Sequence, residues 1–529
     1  ASIEAGWTLC RAGSSATLLL IVADAEPRTA LRAAHALRGD DPTRFDLHLF
    51  ATRSFDRIRL LAFDLGGEPR HMVIERDHAR PADLDAVVEL AAGQGESGLR
   101  LAEHWARALD RARLGDRFFR EFRAARARVA DAWTGIPRAA LSERRQLALL
   151  FLSRLLFLCF LQREGHLGGD REFLGTLVRD TLERGGRGSL HERALVPLFF
   201  RALNTPADRR DRTARRLGPL PYLNGGLFER HALERRHERL DLPDAVVVDV
   251  VDAFLARYRF TSRDAGATGG AGGDTAELGI DPEMLGRVFE GLMQPQKRAA
   301  LGTYYTPAAV VRRLVEGALV AWLCASPGLH PAAARALVRD GAAPTDRELR
   351  RRLAERVAAA TVLDPACGSG AFLLGALDRI ARLLAVLETG DEALARRRTV
   401  AHALHGVDID EDAALLCSLR LWLALTFATP ARAAPVPLPN LDRRIRQGDA
   451  LLGPLDLGAA DDAAPPWRAG AARPAVREAL RRLRPLTARY VAAGPDEKRT
   501  LLPRLRAAEA GLAEAWLRTR LRRLERRQA

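Results

Sequence analysis

Thr361-Val362-Leu363-Asp364-Pro365-Ala366-Cys367-Gly368-Ser369-Gly370 is a short apolar run that stops at an acid, turns through two glycines and leads into a helical pattern from Ala371. Glycine accepts the backbone angles of so tight a turn, and the helix start behind it presents free N–H groups. The run reads as a short buried strand. His405-Gly406-Val407 reads as a second strand, ending in Asp408-Ile409-Asp410 and followed by a helix through Leu425. Ile445 to Gly448 reads as a third, ending at Asp449. Strand, glycine turn, helix, strand, acid, helix, strand, acid is the front half of a doubly wound parallel sheet. Upstream, Thr306-Pro307 opens a helix, with Val311, Leu314, Val315, Ala318, Leu319 and Trp322 expected on one face.

Outward from that core the pattern changes. Ala16 to Val22, Leu47 to Thr52, Arg57 to Phe63 and His71 to Ile74 read as strands, Arg28 to Leu37 as a helix, and Gly66-Gly67 as a turn. From Leu84 to about Leu240 the reading is helical, with a strongly apolar helix around Leu147 to Leu161. The glycine-rich stretch 266–273 reads as a linker or loop. Asp281-Pro282 starts another helix, with Asp281 as N-cap. Past Pro454 come a loop and Arg-rich helices, with Leu501, Leu505, Ala508, Leu512 and Trp516 at helical spacing. The expected fold class is α/β multidomain: a small N-terminal α/β module (1–85), a helical domain (86–300), a partial Rossmann-like sheet domain (301–460) and a basic helical hairpin (461–529).

The 529 residues are too many for one core and suit about three domains at roughly 150 residues each. A hydrophobic fraction of 47% with 28% charged residues is the balance of a globular chain. No apolar run reaches the ~18–20 residues of a membrane span, since Leu147 to Leu161 is broken by Ser153 and Arg154. The first apolar patch, Ala16 to Ala23, is followed by Asp24 and Glu26 rather than a cleavage pattern. Five scattered cysteines have no metal spacing. The expectation is therefore a cytoplasmic protein without membrane span, disulfide or zinc. Net charge is +15, yet only Lys297 and Lys498 among the 82 basic residues are lysines, a bias that fits GC-rich coding. From Arg468 onward there are 17 basic and 6 acidic residues, a surplus of 11. Such a concentration is either a polyanion footprint or a solvated helical face.

A glycine turn alone is often just a tight strand-to-helix connection. Here it follows an acid and lacks a third glycine, which suits a zwitterion better than a pyrophosphate. A carboxylate at Asp364 can meet an ammonium, and one at Asp408 can accept two ribose hydroxyls. The constellation resembles the S-adenosylmethionine site of class I methyltransferases. Gly302-Thr303-Tyr304-Tyr305-Thr306-Pro307 resembles the motif that precedes the cofactor loop in amino-methylating DNA methyltransferases. Asp364 to Gly370, with Phe372, resembles the loop itself. Leu223-Asn224-Gly225-Gly226-Leu227-Phe228-Glu229 and the helix from Asp281-Pro282-Glu283 to Phe289-Glu290 are similar to segments of one branch. That branch is the large adenine-specific methylases of type IIG restriction–modification and related phage-defence systems, and the similarity covers about residues 100 to 460.

The resemblance implies S-adenosylmethionine as cofactor and double-stranded DNA as partner. It implies that Thr306 contacts the methionine part and Asp364 the methionine amino end. It places Pro365, Ala366, Gly368, Ser369 and Gly370 in the cofactor loop, Asp408 at the ribose and Asp449 at the adenine amine. Tyr304 and Tyr305 fit a cofactor wall or a core equally well.

Two features depart from the pattern. The family's Asn-Pro-Pro-Tyr motif, which holds a flipped base, has no counterpart here: Pro465-Pro466 follows Ala464, and Asn440 precedes Leu441. The expectation is that a downstream segment or second chain supplies it and that this chain alone is incomplete for catalysis, so no catalytic residue is assigned. Second, no lysine precedes Lys297, so an N-terminal nuclease triad of two acids and a lysine is incomplete. Residues 1–85 are read as a degenerate nuclease-like or accessory module, with Asp56, Asp64 and Glu75 as turn and surface acids. His402 and His405 read as packing or surface groups, and Cys367 as a small residue rather than a nucleophile. No Pro-Cys pair exists for cytosine-carbon chemistry. A DNA-binding partner with a decayed cofactor fold, and a methyltransferase acting on RNA or protein, remain alternatives.

Overall fold

The computed structural model describes residues 5–12, 16–22, 27–38, 45–63, 69–92, 99–224, 226–237, 239–261, 279–282, 284–286, 306–325, 329–428, 437–450 and 474–528. The Gly66-Gly67 turn, Asp64, the stretch 266–273, Tyr304, Tyr305 and Pro465-Pro466 lie outside the described residues.

The N-terminal part is a five-stranded sheet, β1 (Ala5–Ala12), β2 (Ala16–Val22), β3 (Phe45–Ala51), β4 (Arg57–Phe63) and β5 (Pro69–Glu75), in that spatial order. β2 and β3 pair in parallel across the helix α1 (Pro27–Arg38), and the other neighbours are antiparallel. The strand at Ala5–Ala12 is an addition to the sequence reading; Gly6 and a register shift between Thr8 and Cys10 break its alternation. Alternate side chains point to opposite faces. Leu47, Leu60 and Met72 therefore pack with Leu90, Leu101 and Trp105 of two following helices, while Phe50, Leu61 and Phe63 pack against Ala30 and Ala34 of α1.

Glu75 corrects the surface reading given to it. It is buried and takes Arg163 and Arg171 at 3.2 and 3.4 Å. Burial pushes its carboxyl up, but Arg163, Arg259 and Arg171 outweigh that and hold it down to about 2. Asp56 is an exposed turn acid that accepts from Thr52, as read.

Residues 81 to 257 are helical throughout their main elements. At their centre runs Leu141–Arg163, whose residues from Leu147 to Leu161 are all buried. By length and composition it could cross a membrane, but 83% of its most apolar window is buried in the protein. It is a core helix, packed against Arg111–Ala132 and Glu411–Phe427. Its two buried arginines each satisfy backbone elsewhere. Arg144 donates to the carbonyls of Ala130, Asp131 and Ile136, closing the end of Arg111–Ala132.

Downstream lies a second sheet: β6 (Val362–Asp364), β7 (Leu404–Asp408) and β8 (Ile445–Gln447), parallel and in that order. Helices Ala371–Leu384 and Glu392–His402 join β6 to β7, and Glu411–Phe427 follows β7. One continuous core runs from the helical region into this sheet.

Two expectations need correction here. β6 is not fully buried: Leu363 is 65% exposed, on the strand at the sheet's edge. On helix Ala308–Cys324, Val311 and Leu319 are buried as expected, but Leu314, Ala318 and Trp322 are exposed, and Glu316 and Leu323 are buried in their place. The helix is apolar on more than one side, so packing chose the face. Val311 crosses Gly375 so closely that a Cβ there would sit 2.5 Å from its Cγ1. Glu316 goes inward to pair with Arg379.

Asp281 is the N-cap expected of it, accepting from the Met284 N–H at 2.7 Å. The C-terminal helices Pro474–Ala492 and Pro495–Gln528 form a hairpin with Leu501 and Leu505 buried and Ala508, Leu512 and Trp516 partly buried. It is fastened to the body by polar groups. Asn440 is fully buried and its Nδ2 donates to the carbonyls of Tyr490, Val491 and Ala493. Lys498 pairs with Glu229, and Arg443 with Glu509 at 2.9 Å.

Candidate cofactor site

The loop after β6 is shaped by its own backbone. Cys367 N–H donates to Val407 O at 2.9 Å and Gly370 N–H to Cys367 O at 2.8 Å, which ties the turn to β7. Gly370 has φ +87°, and a Cβ there would meet Cys417 Sγ at 2.7 Å. Gly406, in β7 beneath the loop, would meet Leu373, Cys367 and Ile445 within 3.1 Å. Gly370 requires glycine by both its backbone angle and its contact with Cys417, while a side chain at Gly406 would press on three packed neighbours. Gly368, at φ +52°, faces open space instead.

The carboxylates gather around that opening. Gly368 N–H donates to Asp408 Oδ2 at 2.8 Å, and Asp410 N–H to Asp408 Oδ1 at 2.9 Å. Each oxygen keeps a lone pair for a further donor. Asp364 Oδ1 accepts from Ala366 N–H at 3.2 Å, while its Oδ2 is buried without a hydrogen-bond partner among the described residues. Burial raises the Asp364 carboxyl above its usual range; Asp408 adds to this, and the Ala366 hydrogen bond opposes it.

Asp364, Ala366, Gly368 and Asp408 thus form one bonded cluster. Pro365 and Ala366 are exposed at its lip. Asp449 is exposed two residues past β8, following Gly448, whose N–H donates to Asp408 O at 2.8 Å. Thr306 is partly buried, two residues before the helix that crosses Ala371–Leu384 at Val311 and Gly375. Ser369 is turned inward: its O and Oγ accept from Arg420 Nη1 at 2.8 and 3.1 Å.

Arg420 was not among the expected residues. It is buried on helix Glu411–Phe427, and its Nε also donates to Pro282 O at 3.1 Å, joining the loop to the helix that starts at Asp281. A lone cation in the apolar run Leu419-Arg420-Leu421-Trp422 was the available signal, because buried charges are paired. Cys367 is buried against Cys417, whose thiol is pushed up by that contact and by burial, so both are packing groups. His405 is held down to about 4 by burial and by Arg444, and also packs.

Residues 341–451 match the family model of the MmeI DNA-methyltransferase domain. A Methanocaldococcus jannaschii protein named as a type II restriction enzyme and methyltransferase is 28% identical over 347 residues, covering 60% of this chain and 28% of that protein. The adenine-specific methyltransferase PglX of Streptomyces coelicolor is 33% identical over 114 residues, 20% of this chain and 9% of that one. The chain therefore spans well under a third of the length of these relatives. The solved type IIL restriction–modification enzyme MmeI, in complex with DNA, overlaps 65% of this chain and 41% of its own at 20% identity, with a TM-score of 0.44. The resemblance to type II restriction–modification methylases is borne out by the match of residues 341–451 to the MmeI DNA-methyltransferase domain model and by the Methanocaldococcus jannaschii relative.

Proposed function

We propose that the cluster at the carboxyl ends of β6, β7 and β8 is a Rossmann-like S-adenosylmethionine half-site. It would serve an adenine-specific DNA methyltransferase of a restriction–modification or phage-defence system. The observation that carries the reading is the buried, unpartnered Asp364 Oδ2 beside the open Gly368 turn. A buried carboxylate oxygen without a donor is costly, and a bound ammonium supplies both donor and opposite charge. When bound, the cofactor supplies an activated methyl group. Asp364 holds the methionine amino end, Asp408 accepts from the ribose hydroxyls, and Thr306 and Asp449 contact the methionine part and the adenine amine. Arg420 positions Ser369, and Gly368 with Gly370 lets the backbone approach the ligand. Adenine as the target base is supported by the name of the PglX relative. The outer edge of β6, with Leu363 exposed, suits pairing with the segment that supplies a base-binding motif. Residues 1–85 are read as an accessory module to this domain.

Titration with S-adenosylmethionine tests the site. Asp408→Ala is expected to weaken binding by about 1–3 kcal/mol, roughly five- to 150-fold, the cost of unmade bonds to a charged group. Unchanged affinity contradicts the ribose role. The pH dependence has a definite sign. An Asp364 whose pKa is raised in the free protein protonates at a higher pH than an ordinary aspartate, and the neutral form attracts an ammonium less. Affinity should therefore fall as pH drops through that raised pKa, and the fall should vanish in Asp364→Asn.

The basic hairpin yields a separate expectation. Because Asn440 depends on it, deleting the hairpin would damage the body. Neutralising the exposed Arg477, Arg484, Arg504, Arg506 and Arg522 with glutamine is the cleaner change. If they meet DNA phosphates, each lost contact should flatten the slope of log affinity against log salt by about 0.9. An identical slope would mean that they only solvate the helices.

A further inference from the structure

A small cavity, open to solvent, lies between the end of the five-stranded sheet and the helical region, away from the Asp364 loop. Its lining includes the guanidinium groups of Arg80, Arg163, Arg171, Arg179 and Arg259. These come from separate elements: the segment after β5, the end of Leu141–Arg163, the following turn, helix Phe173–Glu183 and the segment before the Phe260–Ile280 bridge.

The carboxylates facing these groups do not match their donors. Glu75 is shared among Arg163, Arg171 and Arg57, the last at 3.5 Å, all longer than close charge-assisted bonds. Glu172 is taken by Arg80, and Asp252 lies beside Arg179. Arg259 is only 4% exposed, and one of its nitrogens, Nη2, donates to Asp83 Oδ2 at 2.8 Å. Its Nε and Nη1 are buried with no acceptor among the described residues. Two buried donors of Arg259 are thus unmet among the described residues, in a cavity lined by four further arginines.

We propose that this cavity binds the phosphoryl group of a small phosphorylated ligand, with Arg259 at its base and Arg171 and Arg179 at its rim. A phosphoryl group offers several acceptor oxygens in a geometry that guanidinium forks match. Leu174, Leu255 and Phe260 line the same cavity and give an attached organic part an apolar wall, as a nucleotide needs. Bound there, the ligand would bridge the sheet to the helices and reinforce their junction. This proposal does not rest on the cofactor reading.

Calorimetry of the full chain with inorganic phosphate and with a nucleoside triphosphate tests it, with Arg352→Ala as a distant control. Saturable binding by either is expected, tighter for the nucleotide if the apolar wall is used. Arg171→Ala and Arg179→Ala, both exposed and tolerable to folding, should each weaken it at least fivefold. Arg259→Lys keeps the charge beside Asp83 but removes the guanidinium fork, and should weaken it further. S-adenosylmethionine binding should be unaffected by all three. Absence of saturable binding by both probes would overturn the proposal, as would affinity unchanged in the rim variants. Displacement of bound phosphate by duplex DNA would overturn it too, by assigning the cavity to the DNA backbone.

Discussion

Arg154→Met is expected to destabilise the protein by about 3–5 kcal/mol, the usual cost of removing one partner of a buried ion pair. Arg154 sits in the middle of Leu141–Arg163, 2% exposed, and reaches a segment more than seventy residues away. Nε donates to Leu227 O at 2.7 Å and Nη2 to Glu229 O at 2.9 Å, and Glu234 accepts at 2.6 and 2.9 Å. The guanidinium also lies over the rings of Phe199 and Phe200. Methionine fills the space but leaves two carbonyls without donors and Glu234 without its cation. Thermal unfolding should drop by roughly 5 °C. Arg154→Met with Glu234→Leu should recover part of the loss, because the unpaired charge is gone. A single-variant cost below about 1 kcal/mol would refute the role given to Arg154.

The second large effect concerns catalysis. The 529-residue chain should bind S-adenosylmethionine yet transfer no methyl to duplex DNA above background, because its sequence contains no Asn-Pro-Pro-aromatic motif to hold a flipped adenine. Labelled cofactor with duplex DNA, RNA and protein acceptors measures this. Robust transfer to DNA would show that other residues of this chain hold the base. Transfer to RNA or protein alone would move the substrate class.

How far the sequence could be read differs by element. β6 and β7 were legible because each carries apolar residues that stop at an acid, a local signal, and β8, Ile445-Arg446-Gln447, was legible from the Gly448-Asp449 pair that ends it. β2 and β4 agree with their expected bounds for the same reason. β1 was not, since Gly6 and a bulge blur its alternation. The buried face of Ala308–Cys324 was legible only in part, at Val311 and Leu319, because apolar residues surround the helix and the crossing at Gly375 selects among them. Glu75, Arg420 and Asn440 were read as ordinary or passed over. Their partners lie 88, 138 and 50 residues away in sequence, beyond any periodicity. At the candidate site, the turn and its acids were legible as residue types. That one Asp364 oxygen is buried and unpartnered is a product of packing alone.

The most direct test of the central claim is an experimental structure of the chain with S-adenosylmethionine bound. The account predicts the ligand at the Gly368–Gly370 turn, its ribose hydroxyls within about 2.6–3.2 Å of the Asp408 carboxylate and its amino group on Asp364 Oδ2. A ligand seated elsewhere, or one that leaves both carboxylates untouched, would contradict it.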